Sequence, residues 1–359
     1  MTQLFVGTVS KNVTEVACIL AKRHKRGITL IPSRRQVDYD GGYVEGWTQT
    51  DLMKFIDDQR ARQFVSVERD HAGPYQGSKA FGQHDMAMKD AIRSLHDDID
   101  AGFDMLHLDP SVAPDGPSEE LMQSWLLTLY RECIDYAIQQ NKSVLFEIGG
   151  EVQTHEWSTE SVRHVCRSLN MLHGAIEDPA WWPTYAVVQT GTQIVENFNK
   201  GTFQQSLEFA RIGTQPALRA LRPFGVHLKV HNADYLRVNV LRWMPAVGVH
   251  AVNIAPEYGY VETLRLIGAL NSFGCYHERD EFLKIAYESG KWTKWMAQGA
   301  SPSDEHCAKI AGHYVFSDPR IIELKAKVNQ RFGVNLDHMV QRAIMSRMEE
   351  HGKALQWIN

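Results

Sequence analysis

Cysteine is scarce in this chain. The 359 residues hold five, at Cys18, Cys133, Cys166, Cys275 and Cys307. None forms a CxxC pair, and an odd, scattered set builds no disulfide framework, so a reduced, cytoplasmic protein is expected. Long apolar runs are missing too. No stretch approaches the roughly 18–20 apolar residues that a membrane-spanning helix needs. Met1-Thr2-Gln3-Leu4-Phe5-Val6 has no basic segment leading into an apolar one, so no secretory signal is read there. Excess positive charge is also lacking: 38 Lys and Arg stand against 43 Asp and Glu. The one basic run, Lys22-Arg23-His24-Lys25-Arg26, reads as the solvated end of a helix. Nucleic acids and anionic membranes recruit clustered positive charge, so neither is an expected partner.

What is present is an ordinary globular composition, 43% hydrophobic, in a chain long enough for a sizeable core. Through residue 275 no low-complexity linker interrupts it. Short β-rich runs alternate there with helix-patterned segments. The strand candidates are Leu4–Val9, Ile28–Pro32, Phe64–Glu68, Met105–Leu108, Ser143–Ile148, Tyr185–Gln189, Val226–Val230 and Ala251–Ile254. Helical patterns follow, among them Asn12–His24, Thr50–Arg62, Ser118–Gln140 and Thr159–Ile176, with Thr50, Ser118 and Thr159 as candidate N-caps. Eight such units predict an α/β fold, a (β/α)8 TIM barrel. The competing open, doubly wound sheet usually carries a glycine-rich fingerprint after its first strand, and Gly7-Thr8-Val9-Ser10-Lys11 is not one. Past residue 275 the strand signals stop, and Phe282–Trp295, Asp318–Phe332 and Leu336–His351 read as helices. The division expected is a barrel over 1–275 carrying the site and a helical C-terminal extension over 276–359.

Active sites of such barrels lie where the strands end. Nearly every strand candidate here runs into ionisable groups. Asp38 and Asp109 could be helix caps. His71, Glu151 and His231 arriving on one rim point instead to a metal site. Imidazole nitrogens and a carboxylate oxygen are ordinary zinc ligands, and manganese or cobalt use the same donor types.

Six segments, in order, resemble one family. They are Arg35-Gln36-Val37-Asp38 with Gly41-Gly42-Tyr43; Arg69-Asp70-His71-Ala72-Gly73-Pro74; Gly102-Phe103 through His107-Leu108-Asp109; Ile148-Gly149-Gly150-Glu151; Val187-Val188-Gln189-Thr190-Gly191; and Lys229-Val230-His231-Asn232-Ala233-Asp234-Tyr235. The sequence is similar to the non-catalytic-subunit family of tagatose-bisphosphate aldolase, a branch of the class II, metal-dependent aldolase superfamily. The resemblance spans nearly the whole barrel and fades in the C-terminal helices. It implies a divalent metal, zinc first, held by His71, Glu151 and His231. It also implies Asp70 as acid/base, with Asp109 the next candidate. Gln189 stands where catalytic members carry another metal histidine, and is assigned with Gln36 and Asn253 to substrate binding.

Departures from the superfamily pattern bear on the substrate. Catalytic members place a Gly-Gly-Ser-Gly phosphate loop after strand seven and an Asn-Ile-Asp-Thr-Asp loop after strand eight. This chain has Asn232-Ala233-Asp234 and Asn253-Ile254-Ala255-Pro256-Glu257. Carboxylates repel phosphate, so Asp234 and Glu257 are expected to meet hydroxyl or amine groups. Any anionic group is expected at Arg34, Arg35 or Arg69. The resemblance thus implies an aldolase-type enzyme acting on a ketose or sugar derivative. A sugar C4 epimerase working by the same bond cleavage is the first alternative, and a non-catalytic partner subunit of an aldolase the second. A homo-oligomer is also compatible.

Overall fold

The computed structural model describes residues 1–150 and 154–358. Eight parallel strands close into a barrel: β1 (Gln3–Val6), β2 (Ile28–Leu30), β3 (Val65–Ala72), β4 (Met105–Leu108), β5 (Leu145–Ile148), β6 (Tyr185–Val187), β7 (His227–Val230) and β8 (Ala251–Ile254). Each pairs with its neighbours in sequence, and β1 closes against β8 in the register Gln3↔Ala251 to Val6↔Ile254. The expected (β/α)8 barrel with C-terminal helices is what the chain forms.

The helices are held as the sequence suggests, with shifted caps. The second begins at Gln49, because the Thr48 side chain accepts from Asp51 N while Asp51 returns a bond to Thr48 N. That capping box outcompetes Thr50. Ser118 caps Glu119–Gln139, and Ser158, not Thr159, caps Thr159–Ala175. Two features were not expected: a short hairpin pairing Ile194–Val195 with Phe198–Asn199, and a helix at Asp304–Ala311.

The C-terminal helices are built onto the barrel. The last, Leu336–Ala354, packs on Pro256–Ser272 and on Lys11–His24. Its end reaches the N-terminal side of the strands, where Thr2 N donates to Leu355 O (3.0 Å) and Trp357 Nε1 to Gly27 O (2.7 Å). Among the described residues, no helix is long and apolar enough to cross a membrane.

Alternation along the strands layers the barrel interior. Phe5, Ile31, Met105, Tyr185 and Ala251 form an apolar floor. On β3, β5 and β7 the interior positions in register with Met105, Tyr185 and Ala251 are Glu68, Glu147 and Lys229, all fully buried. One step more along β3 and β7 brings the chain to Asp70 and His231 at the mouth, where β4 brings His107. The opposite faces of the strands pack on the helices in one continuous apolar core.

Candidate metal and substrate site

A bulge at the end of β3 sets the site. Register runs Glu68↔Met105 and Arg69↔Leu106, then jumps to Ala72↔Leu108, so Asp70 and His71 together oppose His107. A regular strand would send successive side chains to opposite faces. Here His71 adopts a left-handed backbone, φ 49°, and both side chains reach the mouth. Such a backbone costs a non-glycine residue about 1–3 kcal/mol, and strain of this kind clusters at functional sites.

Ligand atoms of Asp70, His71, His107 and His231 lie within 4.8 Å of one another. Three tetrahedral donors at zinc distances would be about 3.4 Å apart, so the set needs little contraction. Each imidazole has one nitrogen tied to an acceptor. His71 Nδ1 meets Asp109 Oδ2 at 2.6 Å, His107 Nε2 meets Gly149 O at 3.0 Å, and His231 Nε2 meets Glu147 Oε1 at 3.1 Å. An acceptor on one nitrogen places the proton there and leaves a lone pair on the other, which in His107 accepts from His71 N at 3.3 Å. Two glycines permit this approach. A Cβ on Gly73 would sit 2.0 Å from Asp109 O, and Gly149, φ 148°, would place one 2.7 Å from Val187 Cβ.

The carboxylates are tuned by these neighbours. Burial alone would raise Asp70, but the imidazoles of His71, His107 and His231 pull its pKa well below the usual carboxylate range. Asp70 therefore stands ionised. Asn253 Nδ2 lies 3.5 Å from Asp70 Oδ1, and the buried Asn253 Oδ1 has no partner among the described residues. Burial also works against Asp109, yet its bond to His71 holds it ionised, and Ser111 N and Gln76 Nε2 complete its contacts.

Beneath the histidines lies a charged layer. Lys229 Nζ donates to Glu68 Oε2 and to Glu147 Oε2, each at 2.7 Å, and sits 4.0 Å from the centre of the Phe5 ring. Burial and the neighbouring Glu147 raise Glu68, whereas Lys229 and the imidazoles of His107 and His231 overcome burial at Glu147 and lower it. Glu147 is thus the more acidic of the two, and Glu68 the one that takes up a proton first. Glu68, His107 and Glu147 are also close enough to ligate an ion. The Lys229 ammonium already occupies the place of the cation there, so that group is a support and not a second metal site.

A cavity of about 740 Å³ opens over the histidines, within the range of small-molecule sites. Asp70, His71, His231, Gln36, Arg35 and Asn253 line it, and the extension contributes Lys294, Trp295 and Tyr314. Its wall therefore crosses the division expected at residue 275.

The remaining expected residues fall elsewhere. Asp109 sits behind His71 and off the cavity wall. Arg69 follows the other parity of β3 and points outward. It is fully buried, clamped to Asp98 (2.8 and 2.5 Å) and to Val37 O (2.7 Å). Arg34 is buried between Asp38 (2.9 Å) and Asp90 (2.6 Å). Neither arginine lines the cavity. Glu257 accepts from Tyr235 N and Arg347, at 2.6 Å each, and is likewise off the wall. Asp234 lines the cavity, but its Oδ1 accepts from Ala255 N and Glu257 N, capping the helix that follows β8. Gln189 Oε1 accepts from Gly191 N at 2.9 Å and borders a small pocket beside His231. Glu151 lies outside the described residues. The sequence reading passed over His107, Glu68, Glu147, Lys229 and Lys294. The first four were legible as ionisable residues at interior positions within the strands.

Comparison with known proteins agrees on the fold. No curated protein is a detectable sequence relative. The fold is shared with a protein from Sinorhizobium meliloti 1021 described as a probable tagatose 6 phosphate kinase, at TM-score 0.75 and 18% identity over 99% of this chain and 100% of that one. It is shared with the fructuronate-tagaturonate epimerase UxaE of Cohnella laeviribosi, at TM-score 0.61 and 14% identity over 99% and 81%. A fructose-bisphosphate aldolase from Campylobacter jejuni aligns at TM-score 0.57 and 13% identity over 100% and 91%. At these identities the likeness is one of fold. Residues 4–164 match the family described as D-tagatose-1,6-bisphosphate aldolase subunit GatZ/KbaZ-like, the part of the chain that carries the first four of the six motifs.

Proposed function

We propose that the chain is a metal-dependent enzyme that makes or breaks a carbon–carbon bond in a ketose or related sugar by retro-aldol and aldol chemistry. The observation that carries this reading is the cluster of three histidines, each with one nitrogen held by an acceptor, converging beside an ionised aspartate at the mouth of a cavity. Surface histidines have no need of such support; metal-ligating ones almost always have it. In this reading His71 and His231 hold a divalent ion, zinc first, with Glu151 as the ligand expected from the sequence and His107 also in reach. Bound there, the ion would act as a Lewis acid on the ketose carbonyl.

The protein's own groups do the rest. Asp70, ionised and facing the cavity, takes the proton of the C4 hydroxyl. The freed O–H electron pair becomes the C4 carbonyl of the departing aldehyde, and the C3–C4 pair moves toward C3 and the C2 carbonyl. Asn253, with an unsatisfied acceptor next to Asp70, orients a substrate hydroxyl. Asp109 and Glu147 position His71 and His231, and Gln36 lines the wall where the sugar lies. If both halves leave, the protein is an aldolase. If the aldehyde turns over and is re-added, it is a C4 epimerase. A cytoplasmic location belongs to the same proposal and rests on five unpaired cysteines.

The test is metal content by mass spectrometry of protein purified without added metal, together with cleavage and epimerisation assays on ketohexoses before and after chelation. About one ion per chain and loss of turnover on chelation are expected. A folded protein with no metal, and no turnover on adding zinc, manganese or cobalt, would favour the second reading, a partner subunit. The family description, an aldolase subunit, is what keeps that reading open.

A further inference from the structure

His231 stands one residue beyond β7, and register pairing with β8 ends at Val230↔Val252. The turn that follows departs from ordinary backbone. Asn232 (φ 58°) and Tyr235 (φ 59°) are both left-handed. Such a backbone is costly for a non-glycine residue and persists only where the surroundings over-determine it. A histidine placed on a strained turn past the end of its strand needs a brace. The hairpin of Ile194–Val195 and Phe198–Asn199, which follows β6, supplies one.

Two buried side chains of this segment hold the turn. Thr192 Oγ1 donates to His231 O at 2.9 Å. Asn199 Nδ2 donates to Asn232 O at 2.8 Å and to Asp234 O at 3.0 Å. An amide side chain offers two N–H groups and an oxygen with two lone pairs, and Asn199 uses them all. Its Oδ1 accepts from Gly201 N at 3.1 Å and from Gln193 N at 3.4 Å. The hairpin is fixed from its outer side as well. Glu196 N donates to Trp295 O at 2.7 Å, and the Glu196 carboxylate meets His306 Nε2 at 2.8 Å. Asn197 Nδ2 donates to Tyr260 Oη at 3.0 Å. The segment is thus a strut, seated on the C-terminal extension at one end and gripping the His231 turn at the other.

We propose that Asn199 and Thr192 are positioning residues for His231, holding the carbonyls of its turn and so setting where the imidazole stands at the barrel mouth. A side chain follows its backbone. Glu147 holds the Nε2 end of the ring at 3.1 Å, and Thr192 and Asn199 hold the peptides that carry it. Either hold alone lets the ring pivot about the other. Without the two hairpin side chains, three carbonyls lose these donors and the turn relaxes toward ordinary backbone, taking His231 with it. The proposal rests on the reading of His231 as a metal ligand. It adds that the hairpin is a working part of the site, although Asn199 lies off the cavity wall.

The experiment measures the full-length protein and its Asn199→Ala, Thr192→Val and Thr192→Ser variants by three readouts. These are the imidazole nitrogen resonances of histidine-labelled protein, cobalt(II) affinity by chelator competition, and Tm. The His231 resonances are identified by their absence from His231→Gln. In Asn199→Ala and Thr192→Val they should shift or broaden, while those of the helix residues His96 and His173 stay in place. Thr192→Ser keeps the hydroxyl and should keep the wild-type signals. Cobalt affinity should fall about tenfold or more in the first two variants and stay within about twofold in Thr192→Ser, the range that loss of a supporting contact costs a metal site. Trp357→Phe, which loses the bond to Gly27 O at the opposite end of the barrel, should lower Tm and move neither signal nor affinity. Lower Tm with unmoved His231 signals in both test variants would make the hairpin contacts merely structural and overturn the proposal. Equal changes in Thr192→Ser or in Trp357→Phe would overturn it too. If Asn199→Ala fails to fold, the Thr192 pair decides. A wild type that binds no cobalt removes the metal reading, and the His231 signals then decide the positioning alone.

Discussion

Replacing Lys229 by methionine tests the charged layer beneath the histidines. Lys229 holds Glu68 and Glu147 at 2.7 Å each, and all three side chains are fully buried. Met fills a similar volume but leaves two carboxyl groups facing each other without a cation. Breaking a buried ion pair from one side costs about 3–5 kcal/mol. At about 2.1 cal/mol/K of unfolding entropy per residue, a chain of 359 residues has roughly 0.75 kcal/mol/K. The loss therefore lowers Tm by about 4–7 °C. Its sign with pH follows from the two glutamates. In the wild type Glu147 is depressed below its unfolded value, so its stabilisation is present above that value and lost as pH falls through the folded one. In Lys229→Met both carboxyls are raised, so that variant is favoured at low pH and loses stability as pH rises through their folded values. The gap between the two proteins should be narrow near pH 5 and full at pH 8. Glu68→Gln should cost little, because Glu68 is the carboxyl whose charged form is disfavoured by burial and by Glu147, and adding Glu68→Gln to Lys229→Met should recover part of the loss. Calorimetric melts of the four proteins at both pH values decide the matter. A Lys229→Met Tm within about 1 °C of wild type at pH 8, or an equal deficit at both pH values, would refute the reasoning.

Three further outcomes are expected. Asp70→Asn should keep its metal while turnover falls about 10²–10⁴-fold; an unchanged rate would move the base elsewhere. Asp109→Ala removes the acceptor on His71 Nδ1 and should weaken metal affinity about 10–100-fold in a chelator competition, whereas equal affinity would make Asp109 a simple turn residue. For Asp234, burial and then Glu257 raise the pKa to about 8. Its contribution is full at pH values below its unfolded pKa and lost as pH rises through about 8. Asp234→Asn keeps the one oxygen that accepts both helix N–H groups, without a charge, so it should melt at or above wild type at pH 8. Asp234→Ala orphans two N–H groups and should lose about 1–3 kcal/mol. If the two variants melt alike, capping is not the role of Asp234.

Much of this was legible in the sequence. Eight apolar runs, each followed by a helical pattern, determine the barrel because period-2 and period-3.6 patterns bury their apolar faces in only a few arrangements. The strand ends named Asp70, His71 and His231, since a barrel delivers the residues after each strand to one rim. Alternation alone would have turned Arg69 outward and Glu68, Glu147 and Lys229 inward, because neighbours on a strand face opposite ways. Tertiary structure decided the rest. A one-residue bulge with His71 in a left-handed backbone brings Asp70 and His71 to the same mouth, against the alternation a sequence reader would apply. Arg34 and Arg35 are adjacent in the chain, yet one is locked between Asp38 and Asp90 while the other faces the cavity, because only the fold brings Asp90 from a distant helix. Lys294 reaches the cavity wall from far along the chain because the C-terminal segment packs back over the barrel mouth, and such long-range packing leaves no periodic trace in the sequence.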